Sequence, residues 1–159
     1  MLQISAKLRG CALDKGAVQS VEISAIAHAT DSLEKVESAL STVLPDSLKG
    51  RQLFTRRYLE GHHRNPIITF EARLSKPAEV QEFADEFFRK LTKSEKLRVE
   101  RDLALHSDED GNLFIRINKQ QAFRGILELG EEEPIRVKFK FTRFSGNPTE
   151  LMKRTLGEE

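Results

Sequence analysis

The sequence predicts an α+β fold in two layers, with one mixed or antiparallel sheet and helices packed on one of its faces. Three observations carry that expectation. Several segments alternate apolar and polar residues with the period of two that marks a half-buried strand. Two others repeat apolar residues at the three-to-four spacing of an amphipathic helix. The elements also come in runs (strand, helix, two strands, helix pair, two strands), which suits helices segregated to one side of a sheet.

Taken in order, residues 1–9 alternate Leu2, Ile4, Ala6 and Leu8 against polar residues, and residues 10–19 read as a loop. Val21, Ile23, Ala25 and Ala27 predict a strand ending near His28. Thr30 or Asp31 can cap the helix that follows, with Glu34 in its first turn. That helix carries Leu33, Val36, Leu40, Val43 and Leu44 on one face, and Pro45 follows it. Residues 52–59 read as a strand with imperfect alternation, and residues 67–74 as another, with Ile68, Phe70, Ala72 and Leu74 on one face. Ser75 and Pro77 open a helix with Val80, Phe83, Ala84, Phe87 and Leu91 in its stripe. Thr92 or Ser94 begins a second helical piece running through Leu103. Asp108 to Asn112 form a turn around Gly111, Leu113 to Ile117 a strand, and residues 119–125 a short helical turn. Ile135, Val137, Phe139 and Phe141 mark the last strand. The expected organisation is an N-terminal extension of strand plus loop over 1–17, a single domain over 18–144, and a loosely attached polar tail over 145–159.

Composition narrows the function classes. The 159 residues carry 26 basic and 25 acidic side chains for a net charge of +1, with 38% hydrophobic residues, so the chain is neither a disordered polyelectrolyte nor a histone-like polycation. No stretch approaches the roughly 20 apolar residues that span a bilayer. Cys11 is the single cysteine, which excludes an intramolecular disulfide and a thiolate metal cage and favours a reducing compartment. The N-terminus has no signal-peptide core, so the expected setting is soluble and cytoplasmic, away from membranes.

The near-zero total hides an uneven distribution. If the apolar alternates face the helices, the opposite sheet face displays Arg136, Lys138 and Lys140 on the last strand and Phe114, Arg116 and Asn118 on the strand before it. The strand at 67–74 adds Thr69, Glu71 and Arg73. Segment 49–64 holds Lys49, Arg51, Arg56, Arg57 and Arg64 against the single acid Glu60, while acids gather at 108–110 and 131–133. Cations beside an exposed ring suit nucleic acid, because cations meet phosphates and the ring stacks on a base. A solvated polar face of an antiparallel sheet explains the same pattern without a ligand.

The most unusual local sequence is Glu60-Gly61-His62-His63-Arg64-Asn65-Pro66, between two strands. Neighbouring histidines point apart in an extended chain, and a metal site needs further ligands such as His28 or His106. A histidine base needs a nucleophile or second acid, and none is apparent. The reading preferred here is recognitional: Gly61 permits a positive-φ turn, Asn65-Pro66 fixes entry into the next strand, and His62, His63 and Arg64 project as donors and stacking surfaces. There is no glycine-rich phosphate loop and no nucleophile elbow, so no catalytic residue, metal or cofactor is expected.

Three stretches carry a resemblance: His28-Ala29-Thr30-Asp31 leading into Glu34-Lys35-Val36, Leu59 through Ile67, and Asp110 through Arg116 continuing to Lys119-Gln120-Gln121-Ala122. Together they resemble archaeal RNA-binding proteins predicted to be exosome subunits, over about residues 18–142. Arg64 stands where that family pattern has a small residue, and adds a charge. The resemblance implies a fold similar to large-subunit ribosomal protein number five and to a double-stranded-RNA-binding domain. It also implies RNA as partner and a link to RNA processing, with the exosome or other RNA-processing proteins as further partners. The expected RNA-binding residues are Arg56, Arg57, His62, His63, Arg64, Asn65, Phe114, Arg116, Arg136, Lys138 and Lys140. The alternative is a protein-interaction subunit or homodimer using the free sheet face or an edge strand, for which Leu2-Ile4-Ala6-Leu8 is a candidate. A hydrolase or metalloenzyme built on His62 and His63 ranks last.

Overall fold

The structure, a computed structural model, describes residues 17–60, 65–142 and 148–157. The expected strand over 1–9 and the histidines of the 61–64 segment lie outside these residues. Strand β1 (Val18–His28) is the centre of a five-stranded sheet, with β2 (Thr55–Glu60) and β3 (Pro66–Leu74) on one side and β4 (Asn112–Ile117) and β5 (Ile135–Phe141) on the other. The spatial order is β2-β3-β1-β5-β4, and every neighbouring pair is antiparallel.

The strands follow the alternation of the sequence. Val21, Ile23, Ala25 and Ala27 of β1 are at most 3% exposed, as are Ile135, Val137, Phe139 and Phe141 of β5, and these residues face the helices. Helix α1 (Leu33–Val43) buries Val36, Ala39, Leu40 and Val43. Its cap is Ser32, whose side chain accepts from the Lys35 amide at 3.4 Å. Asp31, one of the two expected caps, instead accepts from the His28 amide at 2.8 Å, which closes the turn out of β1 before the helix starts.

Helix α2 (Pro77–Lys90) starts on Pro77, whose fixed φ and missing amide suit a first turn. It lays Phe83, Phe87 and Phe88 against Phe139 of β5, with ring centroids 5.9, 5.3 and 4.9 Å from that ring. Helix α3 (Lys93–Arg101) opens with a capping box in which Thr92 and Glu95 satisfy each other's backbone amides. The other oxygen of the buried Glu95 accepts from the Leu129 amide at 2.9 Å, which pins the segment beside β4. Two short helices follow, α4 (Leu103–His106) and α5 (Lys119–Phe123). No helix among the described residues is long and apolar enough to cross a membrane.

The C-terminal segment differs from its expectation. Residues Pro148–Gly157 form helix α6, and Met152 and Leu156 are each 1% exposed within the core. The two residues lie one helical turn apart, so a single face of an otherwise polar helix packs toward α3. Leu151, Met152 and Leu156, scattered in a polar stretch, are a weak signal until another helix is there to receive one face of it.

Candidate nucleic-acid interface

With the helices on one side, the opposite sheet face carries no helix among the described residues, and the register determines which side chains meet on this open face. One row runs across all five strands: Thr55, Glu71, Ser24, Arg136, Arg116. At roughly 4.8 Å per strand that row spans about 19 Å. The next row holds Arg73, Glu22, Lys138 and Phe114, and beyond it lie Ser20, Lys140 and Asn112. On the other side of the long row are Arg57, Thr69 and Ile26.

A depression of about 780 Å³ is lined by Arg57, Arg73, Arg116, Arg136 and Lys138, with Glu22 and Glu71 as its acids. A second depression, of about 590 Å³, continues from it past Glu22, Arg73 and Lys138 to Lys140. Glu22 is central to the electrostatics: its carboxylate lies 3.7 Å from Arg73 and 4.0 Å from Lys138. The Lys138 ammonium also sits 5.9 Å from the centroid of the Phe114 ring, within cation–π range. Arg57, Arg116, Arg136 and Lys140 have no carboxylate partner among the described residues. Four uncompensated cations around a concave wall attract polyanions, because a recess with low-dielectric walls focuses the field.

The expected site residues thus separate into three groups. Arg57, Phe114, Arg116, Arg136, Lys138 and Lys140 share the open face. Arg56 is on the helix side: it pairs across β3 with Phe70, stacks its guanidinium 5.4 Å from that ring, and forms an ion pair with Glu37 of α1. Adjacent residues on a strand point to opposite faces, so the Arg56-Arg57 pair cannot act as one patch. Asn65 is exposed where the chain enters β3, while His62, His63 and Arg64 lie outside the described residues. The expected set omits Arg73 and Glu22. Alternation alone places both on the open face, but only the pairing of β1 with β3 and β5 puts Glu22 between Arg73 and Lys138.

The turn that leads into β4 is held by Asp108. Its carboxylate accepts from the Asp110 amide at 3.0 Å, the Asn112 amide at 3.1 Å and the Asn112 side chain at 2.9 Å. Burial pushes the Asp108 carboxyl up, but these hydrogen bonds and nearby Lys138 outweigh it and leave its pKa below the ordinary value. Gly111 turns at φ +86°, and its carbonyl accepts from the Phe141 amide at 2.7 Å, which locks the start of β4 to the end of β5.

Two of the motif stretches meet at the far end of the sheet. The Lys119 ammonium, 9% exposed, donates to the Ile26 carbonyl at 2.7 Å and lies 3.6 Å from Asp31 and 4.0 Å from Glu133. Glu133 in turn lies 3.3 Å from His28 Nε2. Glu133 holds φ at +44°, an uncommon backbone state for a residue with a side chain, within a loop fixed by these contacts. This cluster ties the turn after β1 to α5 and to the start of β5, so the residue types of both stretches answer to a structural need. Among the described residues no three His, Cys, Asp or Glu side chains gather as a metal site.

A family model described as RNA binding matches residues 20–141. RNA-binding protein PAB1135 of Pyrococcus abyssi is 28% identical over 127 residues, covering 79% of this chain and 82% of that protein. Protein AF2318 from Archaeoglobus fulgidus, assigned to DUF54, has a crystal structure that superposes with a TM-score of 0.73 at 28% identity, covering 87% of this chain and 99% of that one. The DUF54 protein SSO0741 of Sulfolobus solfataricus shares the fold, with a TM-score of 0.70 at 22% identity over 86% of this chain and 96% of that one. The match across residues 20–141 takes in β2 to β5 and all but the first two residues of β1, and the chain belongs to this RNA-binding family.

Proposed function

We propose that the chain binds RNA through the open sheet face, as a non-catalytic module connected to RNA processing. Arg57, Arg116, Arg136 and Lys140, which have no carboxylate partner on this face among the described residues, meet phosphates, Lys138 stands beside them with its charge shared with Glu22, and Phe114 offers a stacking surface. His62, His63, Arg64 and Asn65 add contacts from the connection between β2 and β3. The observation that carries this reading is the set of cations without carboxylate partners along one concave wall, in a chain of an RNA-binding family. Association with an exosome or another RNA-processing assembly is the finer part of the proposal and rests on the sequence resemblance. Ultraviolet cross-linking of a labelled RNA, followed by peptide mapping, tests the surface. Cross-links on the β4 and β5 peptides support it, and cross-links confined to the helical layer refute it.

A second reading is favoured by one feature. Strand β2 is an edge with all six residues exposed, Tyr58 at 70% and Leu59 at 53% among them. The opposite edge, β4, is instead met by isolated bridges from Ser107 to Leu113 and from Leu129 to Ile117. An uncovered edge offers unpaired backbone groups to another strand. A homodimer through β2 predicts a solution mass that rises with concentration and falls back to the monomer in Leu59→Lys. A monomer at every concentration excludes it.

A further inference from the structure

The open face places two features side by side that phosphate binding alone does not use. The first is Phe114, half-buried on β4, with Lys138 opposite it on β5. The second is the adjoining row, where Arg116 and Arg136 stand directly opposite each other across the β4–β5 ladder. Like charges in direct cross-strand register destabilise an antiparallel pair. Neither guanidinium has a carboxylate partner among the described residues, so nothing there neutralises the pair. An anion seated between them removes the repulsion, and two planar donor forks suit the oxygens of a phosphodiester. Both features line the same depression, which also takes in Leu53 on the β2 side.

Resting on the reading that this face binds RNA, we infer that it takes single-stranded RNA, with a phosphodiester between Arg116 and Arg136 and an adjoining unpaired base on Phe114. The shape of the surface is the reason. In an A-form duplex the bases are stacked within a convex rod that presents phosphates and 2′-hydroxyls, so a ring set in a concave sheet face finds no base plane to stack on. An unpaired base can leave the strand, enter the depression and cover the ring, while the flanking phosphate stays at the row of arginines. Stacking against an aromatic side chain tolerates any base, so weak sequence preference is expected.

The experiment is a fluorescence-anisotropy titration of the full chain against a labelled RNA strand of about twelve nucleotides, within the usual site size of such modules. The same strand annealed to its complement as a blunt duplex is the second probe. The expected result is single-strand binding at least about tenfold tighter than duplex binding, with Phe114→Leu weakening the single strand about tenfold and leaving the duplex unchanged. Phe114→Tyr keeps the ring and should restore wild-type affinity, which separates loss of stacking from loss of fold. Arg116→Gln with Arg136→Gln should weaken both probes and flatten the salt dependence. Equal affinity for duplex and single strand, or a folded Phe114→Leu with unchanged single-strand binding, overturns this inference and leaves RNA binding by the face standing. Binding of neither RNA overturns the proposed function itself.

Discussion

Charge reversal of β5 is the sharpest probe of the interface. Arg136, Lys138 and Lys140 alternate with Ile135, Val137, Phe139 and Phe141, which are at most 1% exposed. Replacing all three by glutamate therefore changes the open face and leaves the core side of the strand intact. On the open face of the wild type the cations without a carboxylate partner among the described residues are Arg57, Arg116, Arg136 and Lys140. If each neutralises one phosphate of a single strand, at about 0.7 per contact, the slope of log K against log salt is about −2.8. Raising salt from ~50 to ~200 mM then weakens binding about 50-fold. The triple variant keeps two of the four contacts, so its slope is about −1.4 at most and the same change in salt costs about sevenfold. Losing two charge-assisted contacts at about 1.5 kcal/mol each lowers affinity at the low-salt end by about 100-fold, before any repulsion from the new carboxylates. Anisotropy titrations across four salt concentrations measure slope and affinity together, and circular dichroism melts check the fold. A folded triple variant with wild-type slope and affinity would refute the assignment of this face.

Three further outcomes follow from the same structure. Glu22→Gln releases Arg73 and Lys138 from their shared acid, so RNA affinity should rise about two- to fivefold with a steeper salt slope, given that an exposed ion pair is worth up to about 1 kcal/mol; unchanged binding would mean that neither cation contacts RNA. Lys119→Met leaves the Ile26 carbonyl without its donor and Asp31 without its ion-pair partner, and should cost about 1–3 kcal/mol in urea unfolding while folded protein binds RNA normally. Acid should destabilise the protein in part through Glu79, which accepts from Arg51 at 2.8 Å and whose carboxyl that hydrogen bond holds below the ordinary glutamate value. A depressed folded-state pKa adds stability that is present above the ordinary glutamate value and lost as pH falls below it through the folded-state value, so the acid limb of a Tm–pH curve should be shallower in Arg51→Gln.

The sequence alone determined, for four of the five strands, which face is core and which is not. Period-two alternation in β1, β3, β4 and β5 reflects burial of one sheet face, a constraint every residue of a strand feels locally. Helix α2 was equally legible, because Pro77 and the stripe from Val80 to Phe87 are local signals of start and face. The cations of β5 were legible for the same reason, since they are the polar half of that alternation. What tertiary structure decided is everything that depends on a partner distant in sequence. Arg56 and Arg57 look like one basic patch in the chain, yet β2 pairs with β3 so that Arg57 joins the open face and Arg56 packs between Phe70 and Glu37. Arg116 confronts Arg136, and Glu22 stands between Arg73 and Lys138, because strand order and register place them there. Met152 and Leu156 form a core face only because α3 packs beside α6. Alternation states which way a side chain points. Hydrogen-bonded pairing between remote segments states what it meets, and at this surface the encounters set the electrostatics of the interface.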